Sequence, residues 1–454
     1  MKRPIPSLSA ALAGVALFLT GCASIPRPRV DLILTHASVV SPETGEVRRD
    51  MAIAIRNGRI LAVGPEARGF DGVQVVDVRG AYVAPGLTDA HVHLGNDAFA
   101  ALIGGVVPTA EDRTRALEAY LAEGITSLVV LNGGPDLLRL RDAIEQGEIL
   151  GPRLVIASPF ISGAQPILPP PVARLLPGPD HAQTLAAELR GQGYDLIKTR
   201  EDLTPQEAMA MSLASDGAGL PMLGHLPRSA RETGQFFAAP GTGAAHLYDL
   251  LQLTQAREAD FAGLAADLRR RRALVVTTLS VHQNILAKNA DFAATLAAPC
   301  AGRLDPQMYA LWTGMTFEPS SDSETITRQM AEQGRLLRAL VDAGVPVLAG
   351  TDAGAPTITP GCSMASELEL MVQGGLTAGE ALTAATAAPA DVFERLRGGG
   401  RIAPGAPADL ILMARNPLEA ISAVRTPIGV VRGGVYLDLA ALEAMRARAM
   451  FRGR

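Results

Sequence analysis

Apolar residues near the start of the chain alternate with polar ones in short bursts. Asp31-Leu-Ile-Leu34, Met51-Ala-Ile-Ala-Ile55, Ile60-Leu-Ala-Val63 and Val75-Val-Asp-Val78 have this form, with the turn signal Asn57-Gly58 between two of them. Period-two alternation bounded by turn residues predicts strands of a small antiparallel sheet. From about residue 82 to 398 the rhythm changes: short apolar runs are separated by longer helical patterns such as Glu111 to Glu123 and Glu324 to Ala343, the latter followed by Gly344 as a stop signal. Candidate strands end near His93, Leu131, Phe160, Lys198, His225, His246, Leu279 and Asp352. Eight strands alternating with helices predict an α/β chain built on a closed (β/α)8 TIM-type barrel. Strand-like runs return in Ala408 to Met413, Ile428 to Val431 and Val435-Tyr-Leu, and Leu439 to Met450 reads as a helix.

The expected organisation is therefore a discontinuous β-sandwich domain over 31–84 and 399–440, a barrel over 85–398, and a helical tail over 441–454. One stretch breaks the rhythm. Ser162 to Asp180 contains six prolines and little charge, and it follows the third candidate strand, so it is expected over the barrel mouth.

The first thirty residues do not belong to this pattern. Lys2 and Arg3 precede an apolar run from Leu8 to Leu19, then Leu19-Thr20-Gly21-Cys22. The run is short for a membrane-spanning helix, which needs about 20 residues. It resembles a bacterial lipoprotein signal, which implies a signal peptide over 1–21, lipidation of Cys22 and a tether over 22–30 containing Pro26 and Pro28. Ala23 follows the cysteine where an Asp would mark inner-membrane retention, so outer-membrane attachment facing the periplasm is expected. Loss of residues 1–21 removes Lys2 and Arg3, which moves the balance from 41 − 46 = −5 to 39 − 46 = −7. An acidic chain of this kind carries no nucleic-acid signature. Cys300 and Cys362 remain; they are either a disulfide or two free thiols, and the sequence leaves this open along with the oligomeric state, a homo-oligomer included.

Candidate chemistry concentrates at strand ends. His91 and His93 lie at i and i+2, so on a strand both imidazoles project from one face. His225 in Leu223-Gly-His-Leu-Pro227 and His246 in Gly243-Ala-Ala-His-Leu247 end later strands, as do Lys198 and Asp352. A parallel barrel gathers all its strand C-terminal ends at one mouth, so these six residues converge. Neutral imidazole is a common metal ligand.

His-x-His on strand one, Lys on strand four, His on strands five and six and Asp on strand eight resembles the binuclear amidohydrolase superfamily, and within it the prolidase and imidazolonepropionase-like members. Ala84-Pro-Gly-Leu-Thr-Asp-Ala-His-Val-His, Gly151-Pro-Arg-Leu and Pro404-Gly-Ala-Pro-Ala-Asp-Leu-Ile-Leu carry the same likeness over about residues 31 to 440. The resemblance implies two divalent ions. His91 and His93 would bind one, with Asp352 as a further ligand; His225 and His246 would bind the other; Lys198, carboxylated by carbon dioxide, would bridge them. Zinc suits a histidine-rich site with open positions, and manganese or cobalt is not distinguished from it. A hydroxide shared by the metals would attack a substrate carbonyl, and Asp352 would serve as general acid and base.

The implied activity is hydrolysis of an amide or dipeptide-like C–N bond. The alternatives are hydrolysis of a cyclic amide or lactone, or an inactive barrel lipoprotein acting as a binding module. Loss of a ligand would favour the last, and none of the six is lost. Candidate substrate contacts are Arg200, two residues past Lys198, with Arg228, Tyr248 and His282. Trp312 and Phe317 are candidates for the pocket wall. Two departures put a dipeptide in question: Ile161-Ser-Gly-Ala-Gln-Pro stands where dipeptidases of the family carry a Gly-Gly-His-rich loop, and Ala365 stands where they often carry a histidine.

Overall fold

The computed structural model describes residues 28–95, 109–254, 260–298, 300, 303, 322–355 and 358–450. Cys22, the signal-like segment, Trp312 and Phe317 lie outside the described residues. Among the described residues no helix is long and apolar enough to cross a membrane.

Eight strands of the terminal segments form one continuous mixed sheet. Its order is Val435–Asp438, Pro427–Arg432, Leu410–Met413, Tyr82–Pro85, Arg29–Ser41, Glu46–Arg56 and Arg59–Val63, with Asp71–Asp77 paired to Arg29–Ser41. Most neighbours run antiparallel, but Arg29–Ser41 takes both Asp71–Asp77 and Tyr82–Pro85 in parallel. The expected sandwich is thus a single sheet that curls. The edge strand Arg59–Val63 and its turn fold back onto the run leading into Leu410–Met413, through Ile60 N–H to Ala406 O and Ala408 N–H to Gly58 O, both 2.9 Å. Leu34, Val39, Ile53, Ile55, Val83, Leu410 and Leu412 fill the inside. Asn57 and Gly58 have φ of +50° and +70°, as a two-residue hairpin turn requires.

The barrel strands are Leu87–Val92, Ile125–Val130, Arg153–Ile156, Ile197–Thr199, Met222–Gly224, Thr242–Ala244, Leu274–Val276 and Val347–Leu348, all parallel to their neighbours. Single bridges complete the circle, Ala157 to Leu196 between strands three and four and Val92 to Ala353 between one and eight. Ala90, Val129, Val155, Leu196, Leu223, Ala245, Val276 and Leu348 pack inside, so the barrel is a filled core. A larger apolar layer lies between the strands and the surrounding helices.

Two strand ends differ from the sequence reading. Strand three ends at Ile156, and Phe160–Ser162 is a separate short strand paired with Ala173–Leu175 from within the proline-rich stretch. That stretch therefore has structure of its own. Strand seven ends at Val276, and Leu279 opens the helix Leu279–Ala290. In both places a run of apolar residues continues past a change of backbone direction, which periodicity does not register. Helices begin where caps are present: Thr109 and Asp112 form a capping box before Ala110–Leu121, and Asp322 caps Ser323–Asp342. Cys300 and Cys362 are joined as a disulfide across 62 residues. A loop of that length gives about 4 kcal/mol in the chain-entropy account.

Candidate metal centre

Strand one supplies His91 and His93, and strand eight approaches closely enough to bring Asp352 between them. A Cβ at Gly350 would lie 2.9 Å from the backbone nitrogen of His91, so only glycine admits this approach. Asp352 then turns into the left-handed region, φ +64°, which an aspartate tolerates better than most residues. Its Oδ1 lies 3.1 Å from His91 Nε2 and 2.9 Å from His93 Nε2. One ligand atom from each of the three lies within 4.8 Å of the others.

His246 stacks against His91 with ring centroids 4.6 Å apart, and His225 against His246 at 4.5 Å. The four histidines thus form a continuous cluster. Each is oriented through Nδ1. His91 meets Ala245 O at 2.9 Å, His93 meets Asn132 Oδ1 at 3.1 Å, His225 meets Asp249 Oδ2 at 3.2 Å and His246 meets Thr278 Oγ1 at 2.9 Å. Such partners fix ring orientation and leave Nε2 as the ligating nitrogen.

Lys198 is buried, and its Nζ has no hydrogen-bond partner among the described residues. Burial pushes its pKa down to about 7, with Asp352 pulling the other way. Burial lowers His91 to about 4 and holds His246 well below the usual imidazole range. Burial alone would raise Asp352, but the His91 and His93 contacts outweigh it and hold the carboxyl well below its ordinary value. Neutral imidazoles, an ionised carboxylate and a lysine poised to lose its proton are a donor set that suits divalent cations.

The candidate substrate contacts divide. Tyr248 stacks on His246 at 4.9 Å, and His282 packs edge-on against Tyr248 at 5.0 Å. Burial, then the Asp249 charge, keeps the Tyr248 phenol protonated well above its usual pKa. Arg200 sits over the Phe160 ring at 5.3 Å, and Phe160 lies 6.1 Å from His93. Arg200 is also paired with Glu201, 3.1 Å away. Arg228 reaches the same Glu201 at 3.3 Å with its side chain 73% exposed, a position on the outer rim.

The sequence reading missed Asn132, Asp249 and Thr278, which orient the histidines, and Asp89, which binds Thr351 and the His91 amide. Asp89 alone carried a sequence signal, since it precedes His91 by two on the same strand face.

The amidohydrolase family pattern matches residues 82–437. The imidazolonepropionase of Anaeromyxobacter dehalogenans (strain 2CP-C) is 26% identical over 479 aligned positions, covering 92% of this chain and 99% of that protein. Among solved structures, the bottromycin amidohydrolase superposes with a TM-score of 0.70 at 23% identity, covering 93% of this chain and 90% of its own. A Xaa-Pro dipeptidase with methionine bound in its active site gives 0.64 at 20% identity, covering 90% and 99%.

Proposed function

The chain belongs to the amidohydrolase family and is a hydrolase of carbon–nitrogen bonds, and from that premise we propose that it cleaves an open-chain amide of dipeptide or N-acyl amino acid type at a two-metal centre. The observation that carries this reading is the single Asp352 oxygen within 3.1 Å of both His91 and His93, with the buried Lys198 amine close enough to feel its charge. His91, His93 and Asp352 would hold one ion, and His225 and His246 the other. Lys198 would serve both as a carbamate: its neutral Nζ would add to carbon dioxide, the N–C bond forming as one C–O π bond opens into a carboxylate oxygen, and the N–H proton so displaced would leave to solvent. Bound divalent metal supplies Lewis acidity toward the carbonyl and makes a water nucleophilic near neutral pH.

Asp352 is the proton carrier in this reading. Ionised before reaction, it accepts the proton of the attacking water and returns it to the leaving nitrogen. Tyr248, kept protonated, donates its hydroxyl to the polarised carbonyl oxygen or to the oxyanion that replaces it. Arg200, steadied by Glu201 and Phe160, offers the charge to hold a substrate carboxylate, while His282 supports Tyr248 from behind.

A second reading, hydrolysis of a cyclic amide, is favoured by the match to an imidazolonepropionase along 99% of that protein. The retention of all six ligand positions speaks against an inactive binding module. Metal analysis and a panel of dipeptides, N-acyl amino acids, hydantoins, imidazolones and lactones test these readings together. Two ions per chain and turnover of open-chain amides are expected; turnover of rings alone transfers the assignment to the second reading. The reading also includes lipid attachment at Cys22 on the periplasmic side of the outer membrane, in keeping with the Cys300–Cys362 disulfide. Cys22→Ser should abolish labelling by a radioactive fatty acid.

A further inference from the structure

Thr278 stands just past the end of strand seven with φ +49°, a conformation that β-branched residues rarely adopt. It persists only where neighbouring contacts over-determine it. Those contacts come largely from one side chain. Glu367, fully buried in the helix Cys362–Gln373 that follows strand eight, straddles Thr278. Its Oε1 accepts the Thr277 hydroxyl and the Leu279 N–H, the latter at 2.8 Å, and its Oε2 accepts the Ser280 N–H at 2.7 Å. Thr278 N–H goes to Gly350 O at 3.1 Å. The threonine is thereby held from both sides, and its Oγ1 is delivered 2.9 Å from His246 Nδ1. The same anchor reaches strand eight. The Ser280 hydroxyl donates to Thr351 O at 3.0 Å, one residue before Asp352, the other non-glycine residue of the site with positive φ.

We propose that Glu367 is a positioning residue for the half of the centre built on His246, acting through Thr278; the inference rests on the two-metal reading above. Among the described residues Glu367 hydrogen-bonds to Thr277, Leu279 and Ser280, not to a proposed ligand. Its role is to fix the strained turn that sets the His246 ring plane and so the direction of Nε2. A hydroxyl that orients a ligating histidine commonly changes metal affinity by about 10–100-fold when lost.

The test is calorimetric titration of zinc into chelator-stripped protein, with metal content after dialysis and melting temperature measured in parallel. Glu367→Gln keeps the volume but replaces one acceptor oxygen with an NH2 group, so at least one of the three donors loses its partner. It should bind the first zinc as wild type does and the second about 10–100-fold more weakly, so that close to one ion per chain survives dialysis. Thr278→Val keeps the β-branched shape and every Glu367 contact to Leu279 and Ser280 but removes the hydroxyl; it should show the same selective loss, and Thr278→Ser should restore the second ion. If Glu367→Gln does not fold, Thr278→Val decides. Folded variants that bind two ions with wild-type affinities overturn this inference alone. A wild-type chain that itself binds a single ion overturns the two-metal reading and this inference with it.

Discussion

The carboxylate of Asp89 accepts both the amide and the hydroxyl of Thr351, at 2.9 and 2.7 Å. Asp89 lies two residues before His91 on strand one, and Thr351 one residue before Asp352 on strand eight. The pair clamps the seam where the barrel closes, at the point where both strands carry candidate ligands. Asp89→Ala would leave the buried Thr351 donors and the His91 amide without this acceptor, at a cost of about 1–3 kcal/mol. Turnover should fall about 10–100-fold with it. Asp89→Asn retains one accepting oxygen and should lose far less, which thermal unfolding and steady-state kinetics will distinguish.

The same residue predicts a pH dependence. Burial raises Asp89 to about 7, with Thr351 and His91 hydrogen bonds offsetting part of the rise. The folded chain then keeps a proton that the unfolded chain releases above about pH 4. The associated stability is present at low pH and lost as pH rises through about 7. Asn cannot ionise, so in chelator-treated protein the melting temperature of Asp89→Asn should gain on wild type as pH rises from about 4 to about 7 and keep a constant lead above that. Parallel melting curves from pH 5 to 9 would contradict the assignment.

Asp352→Asn should fold normally and lose turnover by about 10²–10⁴-fold, the usual contribution of a positioned acid–base group. Metal content must be measured with it, because Asp352 is also a proposed ligand. Wild-type rates in a folded variant would rule out its role as proton carrier.

Lys198 yields a prediction that does not depend on knowing the substrate. Its pKa of about 7, set by burial, means that the neutral, carbon dioxide-reactive amine gains ground as pH rises through that value. Reconstitution of stripped protein with zinc should therefore be faster with added bicarbonate, and faster at pH 8 than at pH 6. Lys198→Ala should lose both effects and recover part of its zinc uptake with a short-chain carboxylate in the buffer.

Arg200 tests the class of substrate. Loss of a charged hydrogen bond to a substrate carboxylate costs about 1.5–3 kcal/mol. Arg200→Met should raise KM about 10–100-fold for substrates with a free carboxylate and leave kcat nearly unchanged. Amidated analogues should be indifferent to the change. Equal effects on both would mean that Arg200 serves only its pairing with Glu201 and its stacking on Phe160.

The barrel and the six candidate ligands are legible along the chain, the ligands through the order in which their residue types end successive strands. Alternating apolar runs mark strands, a parallel barrel brings strand ends to one mouth, and His91, His93, Lys198, His225, His246 and Asp352 all stand at such ends. Local pattern decides those features, so they are legible without coordinates. Strand limits at Ile156 and Val276 were not, because apolar residues continue past the point where the backbone turns. Nor was the curl of the terminal sheet, which depends on Ile60 meeting Ala406 across more than three hundred residues. Which groups orient the candidate ligands emerges from the folded chain alone. Asn132, Asp249, Thr278 and Glu367 are ordinary polar residues along the chain. They acquire a role because folding sets their oxygens within hydrogen-bonding distance of an imidazole or a strained turn, and burial leaves those contacts without competition from water.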